Sequence, residues 1–297
     1  YMTRIDERVS THVYKVKRIS KEEMESIAGV CVYDQPPFCN AACPLKLDVK
    51  AMLKAAAEND FKKAFKIYES IAPFPLILSA GCGAPCEEKC RLCELGDGIA
   101  IGDIERAVAL SGGAGEKRSI FRVRKKKKAA VFGSGLFALL LAGELEKKGY
   151  PVTAICGEAD EEEYLRVAAE FLREDDFYTE LKRLRGKDIA FEFNAEMTRE
   201  LFEEKRGGFD VLCASEKAAL DIFPGAVRDE GIMLMESEGL LTGGGETVLE
   251  AALGARKAAL TADRLAQGID PRSARGEEGP VTSRLYTNPD LARGLIR

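Results

Sequence analysis

Nine cysteines and a single histidine, His12, frame the chemistry open to this chain. Seven of the cysteines fall before residue 94, in two runs: Cys31-x7-Cys39-x3-Cys43-Pro44 and Cys82-x3-Cys86-x3-Cys90-x2-Cys93. Thiolates are soft, anionic donors, and a cysteine-rich loop closed by proline is a frequent iron–sulfur ligand segment. Asp34 stands three residues after Cys31, where a C-x2-C loop would place a second thiolate. A lone histidine in a charged N-terminal stretch gives no footing for Ser–His–Asp or Cys–His catalysis or for histidine-ligated zinc. Chemistry here rests on sulfur, carboxylate or a bound cofactor.

Three rival readings of the cysteines are weaker. Structural zinc favours two C-x2-C knuckles, and only Cys90–Cys93 has that spacing. Cys86, Cys90 and Cys93 spell C-x3-C-x2-C, the bare radical-SAM triplet. That arrangement belongs in a loop after a strand of an α/β barrel, whereas here it follows helices. Seven unrelated buried cysteines at this density is the least economical reading.

The bulk numbers exclude more than they assign. A formal charge of −5 and pI near 5.4 offer no electrostatic case for nucleic acid. The longest apolar run, 129–143, is too short and too glycine-punctuated to insert in a membrane. A charged start (Arg4, Asp6, Glu7, Arg8) without an apolar signal core predicts a cytoplasmic protein. Clustered cysteines in such a chain point to metal rather than disulfides.

The elements that must position these residues change character along the chain. Helices are expected at 21–27, 47–58, 61–71 and 99–109, with Pro73 and Pro75 ending the third. The middle two make a hairpin with one cysteine loop before it and one after. Residues 111–117, with three glycines, read as a linker. The basic run of Arg122 and 124–128 reads first as a solvated strand entry, and otherwise as a dock for an acidic redox partner. From 129 the pattern is α/β, with strands at 129–132, 152–155, 189–194, 210–214, 231–235 and 240–242. Helices are expected at 136–148, 160–173, 177–184, 197–204 and 247–267.

In "AAVFGSGLFALLLAGELEKKGYPVTAIC" a strand, a glycine loop, a helix and a second strand follow one another. Gly133, Ser134, Gly135, Leu136, Phe137 and Ala138 spell G-x-G-x-x-A, the turn that brings a pyrophosphate to a helix N-terminus. The second strand of such a unit ends in an acid that binds ribose; here Cys156 holds that place and Glu158 comes two residues late. The glycine loop favours FAD, and the missing acid opposes it.

The stretches "PPFCNAACPLKLDV", "GCGAPCEEKC" and "GIAIGDIERA" resemble the N-terminal iron–sulfur domain of the glutamate synthase small subunit, shared with dihydropyrimidine dehydrogenase. The resemblance covers about residues 25–110. It implies two [4Fe–4S] clusters with interleaved ligands. One would take Cys31, Cys39 and Cys90; the other Cys43, Cys82 and Cys86, with Glu105 as its non-cysteine ligand. The first cluster's remaining family cysteine falls on Asp34. Three outcomes are open: Cys93 fills the place, Asp34 itself ligates iron, or the cluster keeps three protein ligands. Glu105 has a plainer alternative as an exposed helix glutamate.

The resemblance resumes at "FDVLCAS" and "LLTGGGETVLEAALGARKAALTADRLAQG", which are similar to the family's returning strand and C-terminal flavin motif. The flavin-facing Asp is replaced within 243–245, and Glu246 reads as a first-turn helix residue. Between these segments the family inserts an NAD(P)H-binding unit; the 16 residues of "EKAALDIFPGAVRDEG" are too few for one.

These readings define a multi-domain α and α/β chain. Residues 1–115 form a helical iron–sulfur domain, 116–268 a shortened FAD-type Rossmann-like domain, and 269–297 an extended tail. The function expected is electron relay through two [4Fe–4S] clusters, between an NAD(P)H- or ferredoxin-using partner and another redox subunit of an oxidoreductase complex. The alternatives are a self-contained FAD-dependent NAD(P)H oxidoreductase and a cofactor-free docking scaffold.

Overall fold

A computed structural model describes residues 17–32, 37–112 and 124–273. Asp34, His12, Arg122, the linker from 113 and the tail from 274 lie outside the described residues. Chain contacts divide the protein into two compact units, which among the described residues are 17–112 and 124–273.

The first unit is helical: α1 (Lys21–Gly29), α2 (Phe38–Ala42), α3 (Val49–Ala57), α4 (Phe61–Glu69), α5 (Pro75–Gly81) and α6 (Ile101–Ser111). Local chemistry starts three of them. Ser20 and Glu23 form a reciprocal capping box on α1, with bonds of 3.1 and 2.8 Å. Asp48 and Asp60 accept from Ala51 N and Lys63 N, both at 3.0 Å, at the heads of α3 and α4. Met24, Leu47, Met52, Leu53, Phe65 and Ile104 make a dry interior.

Pro75 does not merely end a helix; it opens α5 at the first helical position, where its missing N–H costs nothing. The expectation missed α5 because residues 75–80 are all buried and show no amphipathic period. Two 3-10 turns, Glu87–Lys89 and Arg91–Glu94, carry the second cysteine run.

The second unit runs β1 (Ala129–Phe132), α7 (Leu136–Lys147), β2 (Val152–Ile155), α8 (Glu161–Ala169), α9 (Glu174–Arg185), β3 (Ile189–Glu192), α10 (Arg199–Arg206), β4 (Val211–Ser215), α11 (Glu216–Ile222), β5 (Leu234–Met235), β6 (Leu240–Gly243) and α12 (Val248–Gln267). Strand order is β3-β2-β1-β4-β6-β5. All pairings are parallel except β5 with β6. The central strands β1 and β4 are buried at every position, as parallel strands covered on both faces must be. The chain reverses strand order at β1/β4, the point where open α/β sheets bind ligands.

The strand expected over 231–235 shrinks to two antiparallel residues, because Met233 takes a left-handed turn (φ 57) just before it. The helix α11 was not expected; Ser215 caps it through Ala218 N at 3.4 Å. Glu246 precedes α12 rather than entering its first turn. The helix is started by a capping box of Thr247 and Glu250.

The basic run is tied into its own unit. Arg124 pairs with Asp188, Lys125 with Asp263, and Lys127 donates to the Ala266 carbonyl. This supports the strand-entry reading. Tyr150 also donates to Asp263, at 2.7 Å, so β2's approach, the basic run and α12 meet at one carboxylate.

Burial raises the Asp263 pKa, but Lys125 and Tyr150 outweigh it, and the net shift is downward. A carboxyl depressed in the folded state stabilises above its unfolded pKa, and that stability is lost as pH falls through the folded value. Asp263→Asn is therefore expected to lower stability at neutral pH, with the deficit shrinking as acid titrates the wild type. Urea denaturation of both proteins from pH 7 to 3 measures it; a deficit that does not change with pH contradicts the assignment.

Candidate iron–sulfur site

The cysteines of the first unit separate into two groups. Cys31, Cys39 and Cys90 line a small solvent-open pocket beside α2, α3 and the second 3-10 turn. The Cys39 thiol is pushed up to about 11, first by burial and then by the like charges of Cys31 and Cys90. That mutual influence places the three sulfurs around a shared space. Backbone N–H groups at Cys39 and Asn40 pull the other way and favour the thiolate.

Cys43, Cys82, Cys86 and Glu105 form the second group; Cys43, Cys86 and Glu105 are buried and Cys82 is half-buried. Each thiol is raised by burial first and by Glu105 as a charged neighbour. Glu105 on α6 is 3% exposed, so the reading of it as an exposed helix residue is ruled out. Burial first, then Glu87, push its carboxyl up to about 8, and no basic side chain is among the groups that shift it. Tyr68 is wholly buried beside Glu105, Cys82 and Cys43. Its hydroxyl is near enough to lower the Glu105 pKa, yet it makes no aligned hydrogen bond.

The loops present these sulfurs at some conformational cost. Lys46 (φ 57) and Ala84 (φ 45) adopt the left-handed backbone that favours glycine. The bend after Cys43 brings Leu47 N to 3.4 Å from the Cys43 sulfur, and Leu45 and Lys46 N–H groups also favour its thiolate. Glu87 caps the start of α6 by accepting from Gly102 N at 2.7 Å, which ties the second cysteine loop to the Glu105 helix. A Cβ on Gly102 would lie 3.3 Å from Ala84 Cβ, so glycine there permits the close approach.

Cys93 lies one turn after Cys90, its N–H donating to the Cys90 carbonyl at 3.0 Å. It is exposed, does not line the Cys31–Cys39–Cys90 cavity, and its sulfur is 3.4 Å from the Glu87 carbonyl. It also packs on Gly98, where a Cβ would meet it at 2.5 Å. Asp34 lies outside the described residues. Tyr68 and Glu87 escaped the sequence reading, because one sits on an apolar helix face and the other in an acidic pair with nothing to mark it.

The donor chemistry fits iron–sulfur clusters. Three thiols and a buried carboxyl beside one another hold their negative charge more readily when a bound cation compensates it. Among the described residues, no three Cys, His, Asp or Glu side chains close on one point as ligands of a single ion do. A cubane takes one ligand on each of four irons, so its ligands form a wider ring.

In the second unit Gly133 (φ 83) and Gly135 (φ 95) make the dinucleotide turn. A Cβ on Gly133 would strike Ser215 Oγ at 2.5 Å and Ala218 Cβ at 2.6 Å. Gly135, at the N-cap of α7, faces open space, so Gly133, Ser134, Gly135 and Leu136 fit a pyrophosphate turn. The rest fits FAD poorly. Cys156 is buried where the ribose acid belongs, its thiol raised to about 12 by burial and then Glu158. Glu158 turns to that thiol, and its Oε2 is buried without a hydrogen-bond partner. Phe137 and Met233, 4% and 5% exposed, fill the space between the start of α7 and the end of β6. Their nearest atoms lie 2.7 and 2.4 Å from where a Gly243 Cβ would be.

Comparison with known proteins finds an iron–sulfur domain in the first unit. Residues 8–113 match the family described as dihydropyrimidine dehydrogenase domain II, 4Fe-4S cluster. The N-terminal part of this chain belongs to that family of iron–sulfur domains, here joined to a shortened FAD-type Rossmann unit. The chain is 29% identical over 119 residues to the NADPH-Fe(3+) oxidoreductase subunit beta of Geobacter sulfurreducens, covering 39% of this chain and 17% of that protein. It is 29% identical over 146 residues to the glutamate synthase [NADPH] small chain of Azospirillum brasilense, covering 46% and 29%. It is 27% identical over 140 residues to the NADP(+)-dependent formate dehydrogenase subunit beta of Moorella thermoacetica, covering 39% and 20%. In each case the match spans less than a third of the relative's length.

A branched side chain at Ala84 would sharpen the left-handed strain and push on Gly102. Ala84→Val is expected to cost about 1–3 kcal/mol and to lower iron retention selectively at the buried group. Iron per chain and the thermal midpoint measure this; full retention with an unchanged midpoint contradicts it.

Proposed function

We propose that this chain is an electron-transfer subunit carrying two [4Fe–4S] clusters. Cys31, Cys39 and Cys90 would hold one, with Cys93 or Asp34 as the fourth ligand. Cys43, Cys82, Cys86 and Glu105 would hold the other. The observation that carries the reading is that Cys43, Cys82 and Cys86 all lie within electrostatic reach of the buried Glu105 carboxyl, which raises each of them. Bound there, such clusters exchange single electrons with little rearrangement. The protein's own contribution is to exclude water at the second group and to aim N–H donors at Cys43.

The relatives' names each denote one subunit of a larger oxidoreductase. We take this chain likewise to pass electrons between a separate NAD(P)H- or ferredoxin-using partner and another redox subunit. Between β4 and β6 the described chain holds only α11 and the two-residue β5, which supports a chain without its own nicotinamide-binding unit. The packing of Phe137 and Met233 and the Cys156 substitution support a second unit that works without flavin.

Protein purified anaerobically should contain about eight irons per chain and release no flavin on denaturation. NADPH alone should not bleach it. Four irons would leave one group without a cluster; released flavin with NADPH-driven bleaching would establish the self-contained oxidoreductase instead. No iron would leave the docking scaffold.

The fourth ligand has its own test. Cys93→Ala and Asp34→Ala are compared by iron content, and the loaded wild type is alkylated with iodoacetamide and mapped by mass spectrometry. If Cys93 is the ligand, its variant loses about half the iron and the loaded wild type resists alkylation there. Labelling of Cys93 with full iron, and loss only in Asp34→Ala, assigns the carboxylate.

A further inference from the structure

We propose that Tyr68 is a positioning residue of the buried group, its hydroxyl donating a hydrogen bond to the Glu105 carboxylate when that carboxylate binds iron. This role rests on the two-cluster reading and adds a residue that no spacing in the sequence marks. Tyr68 lies on the inward face of α4 with Ala64 and Phe65, and all three are buried. Phe65 packs on Gly112 at the C-terminal end of α6, where a Cβ would run into its ring. Tyr68, one turn further along the same face, is wholly buried beside Glu105 of α6. Its hydroxyl is buried and, among the described residues, has no hydrogen-bond partner. Buried tyrosine hydroxyls ordinarily find one, so an orphaned hydroxyl inside a ligand site points to what that site holds when loaded.

Three acceptors surround the hydroxyl once the group is charged: Glu105, Cys82 and Cys43. The two sulfurs are served by the backbone, Cys43 by Leu47 N–H at 3.4 Å and Cys82 by the Ala84 N–H. Against burial and Glu87, the Tyr68 hydroxyl is what holds the Glu105 carboxyl down. Arg106, the cation that faces Tyr68, donates to the Leu76 carbonyl at 3.2 Å and to Ser79 Oγ at 3.3 Å, both on α5. A carboxylate has two oxygens, so one meets iron while the other accepts from Tyr68. That bond fixes the rotation of the carboxylate and draws charge from the ligand, which favours the reduced cluster.

Tyr68→Phe removes the hydroxyl and keeps the ring; Glu105→Gln keeps an oxygen donor and removes the charge. Wild type, both single variants and the double variant are loaded anaerobically, assayed for iron, and titrated with dithionite while EPR spectra are recorded. Iron in the wild type is first compared with that in Cys86→Ser. Iron that does not depend on Cys86 sinks the cluster reading itself, and the role of Tyr68 with it. The solvent-open cluster serves as an internal reference. Tyr68→Phe should lower the reduction equilibrium constant of the buried cluster by about threefold or more. It should also change the EPR g values of that cluster and leave the other midpoint in place. In the Glu105→Gln background the same change should have a smaller effect, because a hydrogen bond to a neutral amide is about half as strong as one to a carboxylate. An unmoved midpoint in Tyr68→Phe, or equal shifts in both backgrounds, overturns the assignment. Should Tyr68→Phe retain too little iron to titrate, iron content decides. Loss with Glu105 present and no further loss in Glu105→Gln supports the bond between hydroxyl and carboxylate; equal loss in both backgrounds overturns it.

Discussion

Four proton-bearing groups, Cys43, Cys82, Cys86 and Glu105, face one another in a nearly dry space, and folding has to make that arrangement tolerable. Burial raises every one of their pKa values; Glu105 raises each of the three thiols further, and Glu87 raises Glu105. Without a cation the groups stay protonated; with one they become strong ligands. Much of the first unit serves this condition. Asp48 and Asp60 start the helices of the hairpin, Gly102 lets the second loop approach α6, and Glu87 bonds the two together. The left-handed bends at Lys46 and Ala84 are strain that metal binding would offset.

The two groups are built to different electrostatic plans. The solvent-open one is lined by lysine and arginine, and the buried one by glutamate. Positive surroundings favour the reduced form of a redox centre and negative surroundings the oxidised form, so the difference bears on potential as well as access.

The second unit keeps the frame of a dinucleotide fold while altering its contents. Gly133 and Gly135 still make the turn, and order still reverses between β1 and β4. Cys156 replaces the ribose acid, and Phe137 and Met233 pack where the start of α7 meets the end of β6. The hydroxyls of Thr242 and Tyr164 are buried without a hydrogen-bond partner. Fold and function separate here, since a sheet retains its topology after the groups that bind its ligand have changed.

Sequence alone carried the periodic elements and the donor chemistry. β1, β2, α7 and α12 were legible because long apolar runs and capping pairs act over a few residues, and the cysteine spacing is equally local. Elements whose character depends on distant packing were not legible. α5 hides in a uniformly buried run, α11 in a short one, and β5 is cut down by a turn at Met233. The same holds for side chains: Tyr68 reads as core and Glu87 as surface until α6 is brought beside them. Residue types and spacings thus determined which ligands this protein offers. Tertiary structure decided which of them come near one another, and that Glu105 is buried beside Tyr68 and within reach of three thiols while Cys93 is exposed. Burial and electrostatic coupling depend on distance through space, and spacing along the chain does not encode it.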